Sequence, residues 1–204
     1  MKLYSIENIS QQKLLKLFSR VAIDTEKILT IVKPIVEDVK LNGLKAALKY
    51  SKKFDEFDDE KIVVTKKEFD RAEKSLDGDS KKAMLAAARN IEKFHSMQYP
   101  SGYEIETTPG IKCAREYRSI ENVCLYVPGG TAVLPSTLLM LGIPAFIAGC
   151  KRVAAISPTK NKISDAVLYA AKICGVEEFY KIGGAQGIAM LAYGDNSINK
   201  VDKI

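Results

Sequence analysis

Two places in this chain share one local pattern, and together they restrict the fold more than any other feature. At the first, the apolar run Val123 to Val127 passes through Pro128-Gly129-Gly130 into a long small-and-apolar segment, 136–149. At the second, Phe179-Tyr180-Lys181-Ile182 passes through Gly183-Gly184 into Ala185-Gln186 and a helical stretch ending at Tyr193. Each reads as strand, glycine turn, helix. Glycine permits close backbone approach, and a helix start presents free N–H groups. Open parallel sheets bring such corners to one rim, where ligands bind outside the carboxyl ends of the strands. A tight turn explains one glycine pair as well as a ligand does; two pairs on one rim favour the ligand.

From Asn122 the pattern is strictly alternating. Strands are expected at 123–127, 152–156, 179–182 and 200–204, and helices at 136–149, 163–174 and 185–193. This order predicts a parallel sheet with right-handed crossovers. The expected fold class is α/β: a Rossmann-like parallel sheet preceded by a mainly helical region with a β-hairpin. The expected parts are an N-terminal helical arm (1–20), a helical region plus hairpin belonging to an incomplete mixed domain (21–121), and a nucleotide-binding domain (122–204). Val201-Asp202-Lys203-Ile204 reads as the interior of a strand with no helix to cover it, so the last domain is expected to be truncated.

Upstream, Leu14, Leu15, Leu17 and Phe18 predict a short amphipathic helix over 10–20. A helix over 25–39 carries Pro34, which suggests a kink or break, and 42–54 reads as another helix. Ile62-Val63-Val64 is a short β-like run. Thr65 with Glu68 is a capping-box pattern. Asp79 is a plausible cap for a long helix to Met97, with Ala83, Ala86, Ala87, Ile91, Phe94 and His95 as its buried stripe. Two alternating runs around Pro109-Gly110, from Tyr103 to Thr108 and from Ile111 to Tyr117, predict a hairpin.

Composition removes several classes of function. Of the residues, 47% are hydrophobic and 27% charged, so a core can form. No apolar run reaches the roughly 18 residues of a membrane span. The first ten residues lack the apolar region of a signal peptide, so a cytoplasmic protein is expected. The net charge of +6 is carried by lysine pairs interleaved with acids and accompanies no stacking motif, which argues against nucleic-acid binding. The four cysteines have no metal-like spacing and read as reduced thiols, with Cys124 and Cys150 expected to be buried. The single histidine, His95, excludes a multi-histidine metal site and reads as a packing residue.

The candidate site therefore comprises Pro128, Gly129, Gly130 and Gly184 at the corners, with Tyr126 and Gln186 beside them. Tyr126 can pack as core or form a wall of a nucleotide cleft. Gln186 can face solvent at its helix start or point its amide into a pocket. Ser136 can cap its helix, as can Thr137, or donate to a ligand such as a substrate. Pro144 would kink an apolar helix at about 3 kcal/mol. No carboxylate–histidine pair and no nucleophile elbow can be placed near the corners, so the chain offers a binding cleft without an acid/base set.

At these residues the sequence resembles histidinol dehydrogenase. The matching run is Tyr126-Val127-Pro128-Gly129-Gly130-Thr131-Ala132, then Leu134-Pro135-Ser136-Thr137 and Ile143-Pro144-Ala145. It resumes at Gly183-Gly184-Ala185-Gln186, Leu191-Ala192-Tyr193-Gly194 and Val201-Asp202-Lys203-Ile204. Weaker likeness reaches upstream through Phe54-Asp55, Asn90-Ile91 and Phe94-His95. The resemblance covers nearly the whole chain and about the N-terminal half of a family member. It implies an aldehyde-dehydrogenase-like fold class, a cytoplasmic homodimer with zinc, and oxidation of L-histidinol through L-histidinal to L-histidine with reduction of two NAD. The family's NAD-contacting tyrosine and glutamine fall on Tyr126 and Gln186. Its zinc ligands and its proton-moving Glu-His pair lie beyond residue 204, so this chain is expected to hold no zinc and to be inactive alone. The competing expectations are a stand-alone nucleotide-binding module or pseudoenzyme and, more remotely, a helical interaction protein using residues 1–100.

Overall fold

The computed structural model describes residues 8–19, 24–129 and 133–204. The chain divides into two compact units, Met1–Lys33 and Pro34–Ile204. In the first, α1 (Gln11–Phe18) starts behind Ser10, whose hydroxyl accepts the Lys13 N–H at 3.4 Å. Its Leu15, Leu17 and Phe18 are exposed, and Leu14 is half-buried. Helix α2 (Thr25–Asp55) begins behind Asp24, which accepts the Lys27 N–H at 3.0 Å.

In the second unit, β3 (Asn122–Tyr126), β4 (Arg152–Ile156) and β5 (Glu178–Tyr180) form a parallel sheet in the order β3-β4-β5. Both outer edges gain a single bridge. Val63 pairs antiparallel with Tyr180, and Lys203 pairs parallel with Val123. The expected strand over 200–204 is thus one bridge, held by the Cys124 N–H to Lys203 carbonyl bond of 2.9 Å. The run Ile62-Val63-Val64, far away in sequence, becomes a sheet edge through Val64 N–H to Phe179 and Lys181 N–H to Ile62.

Side chains alternate across a strand, and here each face meets its own helices. Leu125, Ala155, Phe179 and Val64 pack with α3 (Lys66–Ser75), α4 (Gly78–Ser96), α5 (Pro135–Ile147) and α6 (Asp165–Ile173). Cys124, Ala154, Ile156, Tyr180 and Ile62 pack with Val39, Ala46 and Ala47 of α2 and with Ala189, Met190 and Leu191 of α7 (Gly184–Tyr193). Both faces are covered, as a parallel sheet requires. The hairpin of β1 (Tyr103–Thr108) and β2 (Ile111–Arg115) forms as expected and is exposed along both strands.

Several local expectations are corrected. α2 breaks at Gly43 (φ +54°, ψ −139°), and Pro34 is carried inside the helix. The break is fixed by tertiary contacts: Asp195 accepts the Leu44 N–H at 2.8 Å, recapping the second half of α2. Asp38, before the break, is bound by Asn42 and by Lys49 and Tyr50 beyond it. α4 is capped by Asp77, not Asp79. Its inward positions are Met84, Ala88 and Ile91; Ala83, Ala87 and Phe94 are exposed. Phe94 stacks edge-on against the half-buried His95, which bonds Gln98. Neither Ser136 nor Thr137 caps α5. Leu134 stands at its N-cap with Pro135 following, a favourable place for proline because the first N–H groups have no helical partner. Pro144 lies inside α5, which runs on to Ile147. Of the two cysteines expected to be buried, Cys124 is, and Cys150 is half-buried.

Candidate functional site

Because β3, β4 and β5 are parallel, their carboxyl ends share one rim, and the loops leaving them are knitted together there. Val127 N–H donates to Ile156 at 2.9 Å, and Ser157 N–H donates to Tyr180 at 3.2 Å. Both glycine corners close on Pro158 in the middle loop. A Cβ on Gly129 would lie 2.3 Å from the Pro158 carbonyl oxygen, and one on Gly183 would lie 2.4 Å from the Pro158 ring. The glycines are therefore required first by loop-on-loop packing. Gly129 also borders open space.

That space is a cleft of about 570 Å³, inside the range of roughly 300–1,000 Å³ for small-molecule sites. One wall is Pro128, Gly129, Val133 and Leu134; a second is the loop after β4, from Ser157 to Ser164. The end of α2, with Phe54, Asp55 and Glu56, closes it. The walls carry opposite charge. Lys160 and Lys162 stand on the β4 loop, Asp55 and Glu56 on α2, and Lys160 is paired with Glu56. That pairing holds the Glu56 carboxyl below its ordinary range. Glu56 has φ +54°, a left-handed conformation unusual for a side-chain-bearing residue. Burial pushes the Asp55 carboxyl up, against the opposing effect of its bond from Gln186.

The candidate residues from the sequence separate into two groups. Pro128 and Gly129 line the cleft. Tyr126, Gly184 and Gln186 meet beneath the same rim without lining it. The Gly184 N–H donates to the Tyr126 hydroxyl at 3.4 Å. Gln186 is buried and donates from Nε2 to Asp55 Oδ2 at 3.1 Å. Asp55 connects it to the cleft wall. Ser136 is exposed in the first turn of α5 and does not line the cleft. Gly130 lies outside the described residues.

Sequence reading passed over the middle wall. The corner Ser157-Pro158-Thr159 has no glycine pair, although its position after the strand 152–156 was a usable signal. Phe54-Asp55 stood out only in the upstream family likeness, and nothing local placed Asp55 or Glu56 here, since they sit at the end of a helix remote in sequence.

A larger trough of about 690 Å³ runs along β3. Four consecutive β3 residues, Val123, Cys124, Leu125 and Tyr126, line it with Leu141, Pro144 and Ile204. Consecutive residues point to opposite faces, so the trough follows the strand's edge. It is mainly apolar, and the charged residues that line it, Arg118 and Lys203, are of one sign, whereas the rim cleft brings acids and bases together and is the better candidate for chemistry. Among the described residues no group of three or more His, Cys, Asp or Glu side chains could hold a metal ion, and no helix is long and apolar enough to cross a membrane.

A family model described as histidinol dehydrogenase matches residues 18–204. The chain belongs to the histidinol dehydrogenase family. It is 45% identical, over its whole length, to the histidinol dehydrogenase of Campylobacter jejuni (strain RM1221), of which it covers 47%. It is 46% identical to that of Salmonella typhimurium over 92% of this chain and 43% of the relative. A crystal structure of histidinol dehydrogenase from Elizabethkingia anophelis superposes with a TM-score of 0.88 at 40% identity, covering 97% of this chain and 46% of that one. The chain thus spans about half the length of the curated histidinol dehydrogenases it matches.

Proposed function

We propose that this chain supplies the NAD-binding part of an enzyme that oxidises L-histidinol, through L-histidinal, to L-histidine. The observation that carries the proposal is the polar cleft at the carboxyl rim of a parallel sheet, in a chain of this family. The residues fit the cofactor's parts. Lys160 and Lys162 offer positive charge to its phosphates, Asp55 offers an acceptor to its hydroxyls, and Phe54, Pro128 and Pro158 offer flat apolar surface to a ring. The chemistry contributed by the cofactor is hydride acceptance. The protein's part is to bind and orient it, and Gln186 and Tyr126 do so at one remove, by fixing Asp55 and the corner at Gly184. Within this reading, residues 122–204 are the nucleotide-binding part, of Rossmann-like and aldehyde-dehydrogenase-like class.

Among the described residues no group of three or more His, Cys, Asp or Glu side chains could hold zinc. Proton transfer belongs to residues outside this chain, in a cytoplasmic homodimer of longer subunits, and Ser136 remains this chain's candidate for touching substrate. The 204-residue chain alone is therefore expected to bind NAD and to be inactive. Calorimetric titration with NAD, followed by assay of NADH formation with L-histidinol, tests both halves. Absence of NAD binding at millimolar concentration overturns the cleft assignment, and NADH formation by the isolated chain overturns the division of labour.

A further inference from the structure

The α2 end of the cleft has chemistry that the glycine corners lack. Asp55 closes α2 and lines the cleft. Its Oδ2 is held by Gln186 Nε2 at 3.1 Å. Gln186 is 2% exposed in the first turn of α7, so the anchor is itself fixed by packing. Asp55 has no ion pair and no second hydrogen bond among the described residues, which leaves Oδ1 available to a ligand. The cations lie on the loop after β4: Lys160, which is paired with Glu56, and Lys162, which is 3.8 Å from Asp165. A nucleotide has its own order of charge: anionic phosphates on one side of the ribose, neutral hydroxyl donors on the other. The cleft offers such a ligand both a carboxylate, Asp55, and the cations of the facing loop.

We infer that Asp55 sets the cleft's cofactor specificity: its carboxylate, anchored by Gln186, accepts hydrogen bonds from the ribose hydroxyls of an adenine dinucleotide and rejects one bearing a phosphate on that ribose. The inference rests on the NAD-cleft reading and adds what the cleft chooses between. A carboxylate gains strong bonds from hydroxyl donors, and like charge placed against it in a partly desolvated site is costly. Elsewhere an acidic residue about 20 residues after the glycine turn does this work. Here the acid arrives from a helix earlier in the chain, so no spacing rule in the sequence finds it.

The test is calorimetric titration of the 204-residue chain with NAD and with NADP. Wild type is expected to prefer NAD by about tenfold or more. Asp55→Asn brings the two within about threefold, Asp55→Glu keeps the preference, and Asp58→Asn, at an exposed carboxylate paired with Lys52 away from the cleft, leaves it unchanged. Circular dichroism reports folding; where Asp55→Asn does not fold, Asp55→Ser is read in its place. A wild type without preference, or an Asp55→Asn variant that keeps it, overturns the inference while the cleft assignment stands. A wild type that binds neither dinucleotide overturns the cleft assignment itself.

Discussion

Replacing Glu68 by Gln is expected to lower the stability of this chain by about 3–5 kcal/mol, the cost of leaving a buried charge without its partner. Glu68 has two tasks. One oxygen, Oε2, accepts the Thr65 N–H at 2.8 Å and completes the capping box of α3. The other, Oε1, binds Lys181 Nζ at 2.8 Å. The Lys181 side chain is only 8% exposed, and it sits between β5 and the second glycine corner, so the pair ties α3 to the rim. Glutamine serves a capping box as well as glutamate does, so the substitution removes the charge and spares the cap. At about 2–4 °C per kcal/mol for a chain of this size, the melting temperature should fall by roughly 6–20 °C. Lys181→Met removes the buried ammonium and should cost less, because Glu68 keeps Thr65 and some solvent. A double-mutant cycle by urea denaturation should then show a coupling of about 2 kcal/mol or more. A loss under about 1 kcal/mol for Glu68→Gln, or additivity within about 0.5 kcal/mol, would mean that the pair behaves as a surface ion pair and would refute the reasoning.

Other substitutions separate glycines by what surrounds them. Gly43→Ala should destabilise by about 1–3 kcal/mol, since φ is +54° and a Cβ would lie 2.7 Å from Asp195 Oδ2; urea denaturation checks this. Gly78→Ala should do the opposite, raising stability by about 0.4–1 kcal/mol, because nothing lies within 4 Å of its Cβ position; an unchanged or lower midpoint contradicts it. The bonds from Lys49, Asn42 and Tyr50 depress Asp38 to about 2. A depressed carboxylate contributes stability above its unfolded pKa and loses it as pH falls through the folded value, so part of the acid instability should develop between about pH 4 and pH 2. Asp38→Asn should flatten that window in pH-dependent thermal melts. Lys160→Ala should weaken NAD binding about tenfold by calorimetry; an unchanged affinity removes Lys160 from the phosphate wall.

The features legible in the sequence were those written by short-range rules. Strand alternation and β-α-β order gave three of the four strands, the three crossover helices and the hairpin, because hydrophobic period and glycine turns act within a dozen residues. The Thr65–Glu68 box was legible for the same reason. The alanine-rich α4 was not: with apolar residues around much of its circumference, periodicity alone did not distinguish a face containing Ala83 and Ala87 from one containing Met84 and Ala88. Two helices, 25–39 and 42–54, were legible where α2 is interrupted, but the exact break at Gly43, recapped by the distant Asp195, was not, and Pro34 does not interrupt the helix.

The same division runs through the site. The chain's residues alone determined that glycine corners would meet at one sheet rim and which family they resemble. Tertiary structure decided that Pro158 fills the space beside Gly183, that Gln186 turns to Asp55, and that a helix end from the first third of the chain closes the cleft. Backbone preferences are set by neighbours along the chain, but a cleft is the volume left over when distant segments pack. Its walls are known only once that packing is complete.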